Sequence, residues 1–143
     1  MATTKLNHIL VAEDSEDDFM LLRIAFQKAG LPHALHHVVN GQQAIQYLSR
    51  QGRFSDSTAH PFPQLLILDI KMPLTDGFEV LTFLREHPEV NVPVILTLSG
   101  SVVPEDKDKA IKLGAAAYFP KPFELADYIE LAKTIHTQWL AKA

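Results

Sequence analysis

Two kinds of segment alternate along this chain. Short β-rich apolar runs are each followed by a stretch whose apolar residues recur at helical spacing. The first run, His8-Ile9-Leu10-Val11-Ala12, ends in the polar Glu13-Asp14-Ser15. Phe19, Leu22, Phe26 and Ala29 then fall on one helical face. Ser15 is placed to cap that helix, and Gly30 followed by Pro32 to stop it. A second run covers His33 to Val39, and Asn40-Gly41 turns the chain into a helix carrying Ala44, Ile45 and Leu48. Ser49 to Pro63 is polar, holds two prolines and no periodicity, and reads as a long surface loop.

The third run, Leu65 to Ile70, is solidly apolar except for Asp69. Solid rather than alternating runs suit strands covered on both faces. A turn from Met72 to Gly77 precedes a helix with Phe78, Leu81 and Leu84. The fourth run, Val92 to Ser99, leads through Gly100 and Pro104 to a helix containing Ala110 and Leu113, closed at Gly114. The fifth, Ala116 to Phe119, ends in Pro120-Lys121-Pro122. A last helix places Leu125, Tyr128, Ala132, Ile135 and Trp139 on one stripe. Five β–α units within 143 residues predict one α/β domain, a parallel sheet with helices on both faces. Such sheets bind ligands outside the carboxyl ends of their strands. The residues there are Glu13-Asp14, Asp69, Ser99 and Lys121.

Composition narrows the class. Apolar residues make up 47% and charged ones 21%, as in ordinary soluble globular proteins. The absence of cysteine excludes disulfides and thiolate metal sites and makes the cytoplasm the simplest compartment. No apolar run approaches the ~18 residues of a membrane span, and Met1 to Asn7 lacks a signal-peptide core. A net charge of −4 gives no reason to expect nucleic acid as a partner.

Taken singly, the candidates are weak. A carboxylate in an apolar strand costs free energy unless paired, but Asp69 could simply cap a turn. Glu13-Asp14 with Asp17-Asp18 could be an acidic helix start favoured by the helix dipole. Lys121 between two prolines is more specific, because a residue before proline is held extended. Together they make chemical sense. Clustered carboxylates repel and resist ionising, and a hard divalent cation such as Mg²⁺ relieves this with oxygen ligands. A carboxylate can act as a nucleophile toward phosphorus. Lys121 can neutralise phosphoryl charge and Ser99 can donate to a phosphoryl oxygen.

The motifs Val11-Ala12-Glu13-Asp14, Leu68-Asp69-Ile70-Lys71-Met72-Pro73, Asp76-Gly77, Leu98-Ser99-Gly100-Ser101 and Tyr118-Phe119-Pro120-Lys121-Pro122-Phe123 resemble the receiver domain of two-component response regulators. The resemblance spans nearly the whole chain. It implies a flavodoxin-like, doubly wound (βα)5 fold with strand order 2-1-3-4-5. It implies that Asp69 is the phosphorylated residue, and that Glu13, Asp14, Asp69 and the Lys71 backbone carbonyl hold Mg²⁺, Asp14 directly. Lys121 would bind the phosphoryl group, and Ser99 and Tyr118 would be the switch pair. The Lys121-Pro122 bond is expected to be cis. Thr97 competes with Ser99, but the family register from Asp69 to Lys121 lands on Ser99.

The resemblance also implies partners: a histidine kinase donor, and a downstream protein engaged by the face of helix four, strand five and helix five. The domain would promote its own phosphotransfer and dephosphorylation rather than act as an enzyme on other substrates. The sequence is read as one receiver over residues 1–143 with no effector domain. Trp139 and Leu140 would either extend a homodimer interface or pack on the sheet. Lys71 and Ser101 depart from the common pattern at positions expected to tune phosphoryl lifetime. The long loop and the Glu13-to-Asp18 acidic segment resemble small receivers that partner bacterial phytochrome kinases. His36 and His37 point to opposite strand faces, which disfavours a shared metal. Two other readings are an aspartyl-phosphate hydrolase, disfavoured because Lys71 stands where such enzymes carry a second Asp, and a binding module with a decayed site, disfavoured by the complete residue set.

Overall fold

The computed structural model describes residues 6–100 and 103–141. Five strands, β1 (His8–Ala12), β2 (Ala34–Val38), β3 (Leu65–Asp69), β4 (Val94–Ser99) and β5 (Ala117–Pro120), form one sheet. All neighbours are parallel and the order is β2-β1-β3-β4-β5, as the resemblance implied. The helices are α1 (Glu16–Lys28), α2 (Gly41–Leu48), α3 (Gly77–Glu86), α4 (Pro104–Lys112) and α5 (Leu125–Ile135). A π-helical turn, His136–Leu140, continues α5.

The central strand β3 is buried at every position, which is why its sequence shows no polar alternation. Alternate residues feed two cores. Leu10, Leu66 and Leu68 join Val80 and Leu81 of α3 on one side. Ile9, Leu65 and Ile67 join Phe26 of α1 and Tyr128 and Ile135 of α5 on the other. The helix ends behave as their residues dictate. The Ser15 side chain accepts from the Asp18 N–H at 3.2 Å. Asp76 and Glu79 form a reciprocal capping box at the start of α3.

The segment from Ser49 to Pro63 is more anchored than its composition suggests. Gly52–Phe54 makes a 3-10 turn, Phe54 is buried, and the Tyr47 hydroxyl donates to the Pro61 carbonyl at 2.9 Å. Phe54 and Phe62 stand too far apart in this polar run to make a periodic pattern, so the burial of Phe54 could not be seen beforehand.

Two crossings hold the loops at the carboxyl ends of the strands. The Gly41 N–H donates to the Thr75 carbonyl and the Gly77 N–H to the Ile70 carbonyl, both at 2.9 Å. A Cβ on Gly77 would stand 2.5 Å from the Asp69 carbonyl oxygen and 2.7 Å from the Ile70 Cα. Both are backbone atoms at the end of β3 and cannot swing away. Gly77→Ala is therefore expected to cost about 1–3 kcal/mol by overpacking. Urea denaturation checks this; a loss below ~0.5 kcal/mol would mean that the loop adjusts freely.

Candidate functional site

Parallel strand polarity brings the ends of β1, β3 and β5 to one edge of the sheet. Glu13 follows β1, Asp69 ends β3 and Lys121 follows β5. The Lys121 ammonium lies 2.9 Å from Glu13 Oε1, 3.0 Å from Asp18 Oδ2 and 3.1 Å from Asp69 Oδ2. Glu13 and Asp69 are buried, whereas Asp14 is exposed. Three sequence candidates thus meet at one point. Asp18 joins them, although its position in the first turn of α1 suggested only a helix-dipole role.

Low-polarity surroundings penalise the charged carboxylates. Burial pushes the Glu13 carboxyl up to about 8; the Asp69 charge adds to the rise, while Lys121 and the Ser15 N–H oppose it. Burial likewise raises Asp69, against the pull of Lys121 and of the Lys71 N–H, which donates to Asp69 Oδ1 at 3.1 Å. Burial works against the charged Lys121 too. Its hydrogen bonds to Glu13 and Asp18 and the charges of Asp69 and Glu13 outweigh that, so its pKa is raised. With its three carboxylates ionised, the cluster would have only Lys121 to offset them, which leaves room for a second cation.

The donor set fits a hard divalent ion. One carboxylate oxygen from each of Glu13, Asp14 and Asp69 lies within 4.8 Å of the others. The donors are all oxygens, which suits Mg²⁺ or Mn²⁺ better than zinc. Among the described residues this is the single group of three or more potential ligands so arranged. Asp14 and Lys71 also line an open cleft of about 360 Å³ with Met72, Pro73, Asp76 and Phe78, giving access from solvent.

The two candidate hydroxyls differ in circumstance. Both Thr97 and Ser99 are fully buried. The Thr97 hydroxyl donates to the Ala117 carbonyl at 3.0 Å, inside the β4–β5 pair. Ser99 ends β4, and its carbonyl accepts the Lys121 N–H at 2.8 Å, which ties it to the lysine. Tyr118 is half-buried in β5 opposite Thr97 and packs against the α3 side of the core. Ser101 lies outside the described residues. The Lys121-Pro122 bond is trans, against the expectation of cis. Trans is the lower-energy isomer before proline by about 0.5–1 kcal/mol, and from it the lysine already reaches all three carboxylates.

Two further features escaped the sequence. His37 donates from Nε2 to the Glu13 carbonyl at 2.7 Å and stacks on Phe19 with ring centroids 4.0 Å apart, bracing the acidic pair. Leu74, in the loop after Asp69, is exposed and has a left-handed φ of 66°. Neither the partner of a strand histidine nor a left-handed leucine is signalled by residue type. His36 faces the other way, toward His8 and Tyr47, as strand alternation requires. Trp139 packs edge-to-face on Phe119 at 6.0 Å, within the chain's own core.

Comparison with known proteins agrees with this arrangement. The response regulator receiver domain family matches residues 9–133. The chain is 29% identical to response regulator Rcp1 of Synechocystis sp. over 92% of its own length and 88% of that protein. The Mn(2+)-bound structure of Rcp1 superposes with a TM-score of 0.83 at 27% identity, covering 96% of each chain. The response regulator RPA3017 in red light signaling of R. palustris gives a TM-score of 0.87 at 32% identity, over 96% of this chain and 97% of that one. The phosphorylated cyanobacterial phytochrome response regulator RcpA gives 0.87 at 27%, over 97% of both.

Proposed function

This chain belongs to the response regulator receiver family, and from that premise we propose that Asp69 is its phosphoacceptor residue, charged by the phosphohistidine of a phytochrome-type histidine kinase. The observation that carries this is the Lys121 ammonium held between Asp69 and Glu13 at the strand ends. A Mg²⁺ ion would be held by Glu13, Asp14, Asp69 and the Lys71 carbonyl. When bound it would neutralise charge on the carboxylates and on the phosphoryl oxygens.

The chain's own groups do the rest. The Lys71 N–H holds one Asp69 oxygen and Lys121 the other, so the carboxylate is fixed before the donor arrives. An Asp69 oxygen forms the new O–P bond as the donor's N–P bond breaks, and the imidazole nitrogen leaves with the electron pair. Lys121 then follows the phosphoryl oxygens, and Ser99 donates to one of them. Tyr118 turns into the space behind Ser99. The element that follows is α4, which has a single buried residue, Ala110, and is therefore the least anchored helix. Exposed Val103, at its N-cap, and exposed Ile111, in its last turn, are available to a downstream protein. Phe123, two residues after Lys121, is 96% exposed and is offered to the kinase. Similarity to phytochrome response regulators in size, fold and sequence supports that class of kinase.

Ser99 and Thr97 can be separated. Ser99→Ala is expected to slow phosphoryl uptake from acetyl phosphate on the order of 10–100-fold by removing one donor to the transferring group. Thr97→Ala is expected to cost about 1 kcal/mol of stability through the lost Ala117 hydrogen bond and leave uptake unchanged. The reverse ranking would give the switch role to Thr97.

A further inference from the structure

Away from the strand ends, an ordered pair of imidazoles joins β2 to the C-terminal turn. His33, which precedes β2, is 8% exposed. Its Nδ1 accepts the Asn7 N–H at 3.2 Å, and its Nε2 lies 2.9 Å from His136 Nδ1. An imidazole nitrogen that accepts carries no proton. The neutral His33 ring must therefore bear its proton on Nε2 and donate it to His136. His136 in turn keeps its proton on Nε2. The bonds form a directed chain, Asn7 to His33 to His136, that needs both rings neutral.

A proton added at either ring breaks the chain. On His136 Nδ1 it faces the His33 N–H. If His33 then moves its proton to Nδ1, that proton faces the Asn7 N–H. On His33 itself, both ring nitrogens become donors and at least one meets another donor. His136 opens the turn His136–Leu140, whose Leu140 is buried and whose Trp139 packs on Phe119 of β5.

We propose that His33 and His136 form a proton-sensitive latch that holds the C-terminal turn on the sheet when both are neutral and releases it when either is protonated.

The surroundings favour this behaviour. From α1, the Phe26 ring meets His33 edge-on at 6.3 Å. Lys28, ending α1, is exposed. On α5, Lys133 is exposed and paired with Glu130 at 3.5 Å. Among the described residues no carboxylate is in salt-bridge contact with either ring. Burial, then the charge of His136, holds His33 below the ordinary histidine value of 6.5. A depressed folded pKa gives stability that is fully present above the unfolded value and is lost as pH falls through 6.5 toward the folded value. The latch thus opens under mild acid. It is independent of the phosphoacceptor reading, since neither ring touches that site.

The chain's one tryptophan, Trp139, reports directly on the turn. Its emission, followed from about pH 8 to about pH 5, should shift with a midpoint below 6.5 as its contact with Phe119 is lost. The double variant His33→Gln/His136→Asn, whose side-chain amides supply a fixed donor and acceptor, should abolish the transition. His36→Gln, at the separate His8–His36 pair, should leave it intact. A transition that survives in the double variant, or constant Trp139 emission in the wild type, would overturn the latch. If the double variant does not fold by circular dichroism, the wild-type histidine NMR signals decide. His33 and His136 titrating together with the Trp139 indole support the latch, and independent titration at ordinary values overturns it.

Discussion

Asp14→Asn should remove most of the divalent-ion stabilisation of this protein while leaving the metal-free fold almost unchanged. Asp14 is exposed, and among the described residues no hydrogen bond of its side chain braces the core. Its loss without metal should stay within ~0.5 kcal/mol. Its carboxylate nevertheless completes the group with Glu13 and Asp69, and the affinity of such sites follows the number of charged oxygens. At an ion concentration of about 100 times Kd, the wild type gains about 2.7 kcal/mol. A roughly hundredfold weaker site would forfeit nearly all of that gain. Phosphoryl uptake from acetyl phosphate should fall with it. Thermal unfolding with Mg²⁺ and with chelator measures both arms. Equal Mg²⁺ shifts in variant and wild type would remove Asp14 from the metal site.

The second large effect is expected at Lys121. Its ammonium is the shared partner of Glu13, Asp18 and Asp69, and its side chain is only 19% exposed. Lys121→Met keeps the aliphatic stem and deletes the charge. Removing one member of a buried ionic group costs about 3–5 kcal/mol because the others are left uncompensated. Here the carboxylates can take up protons, which sets the pH dependence. The Glu13 carboxyl lies at about 8 in the folded chain against 4.5 ordinarily. A raised folded pKa gives stability that is fully present below the unfolded value and is lost as pH climbs through the folded one. The metal-free wild type should therefore weaken between 4.5 and about 8. Lys121→Met should weaken more steeply over that range, so its deficit should be largest at the alkaline end and shrink toward the acidic end. Chemical denaturation in chelator across this range gives the curve. A deficit that does not vary with pH would point to lost packing instead of lost charge.

How much of this was legible beforehand differs from element to element. The solid run Leu65 to Leu68 announced a central strand, because burial on both faces leaves no room for polar alternation. The same fact made Asp69 stand out as a charge lacking an evident partner. Glu13 and Lys121 were visible as strand-end residues once the parallel order was inferred. Asp18 was not, because whether a first-turn acid reaches across to a lysine more than a hundred residues away depends on the packing of α1 on α5. His37 was read correctly as pointing away from His36, but its bond to the Glu13 carbonyl depends on the β1–β2 register. The trans peptide at Pro122 and the π-helical turn at His136 are outcomes of small energy differences that residue types do not encode. Trp139 on its one stripe suited either a homodimer interface or packing on the sheet, and only the position of Phe119 showed that it packs within the chain.

The most direct test of the phosphoacceptor reading is intact mass after incubation with acetyl phosphate and Mg²⁺, with wild type and Asp69→Asn in parallel. The wild type should gain one phosphoryl group, about 80 Da, and the variant none. A gain in both proteins would place the phosphoryl group on another residue, and a gain in neither would contradict phosphoacceptor chemistry at the Glu13–Asp69–Lys121 cluster.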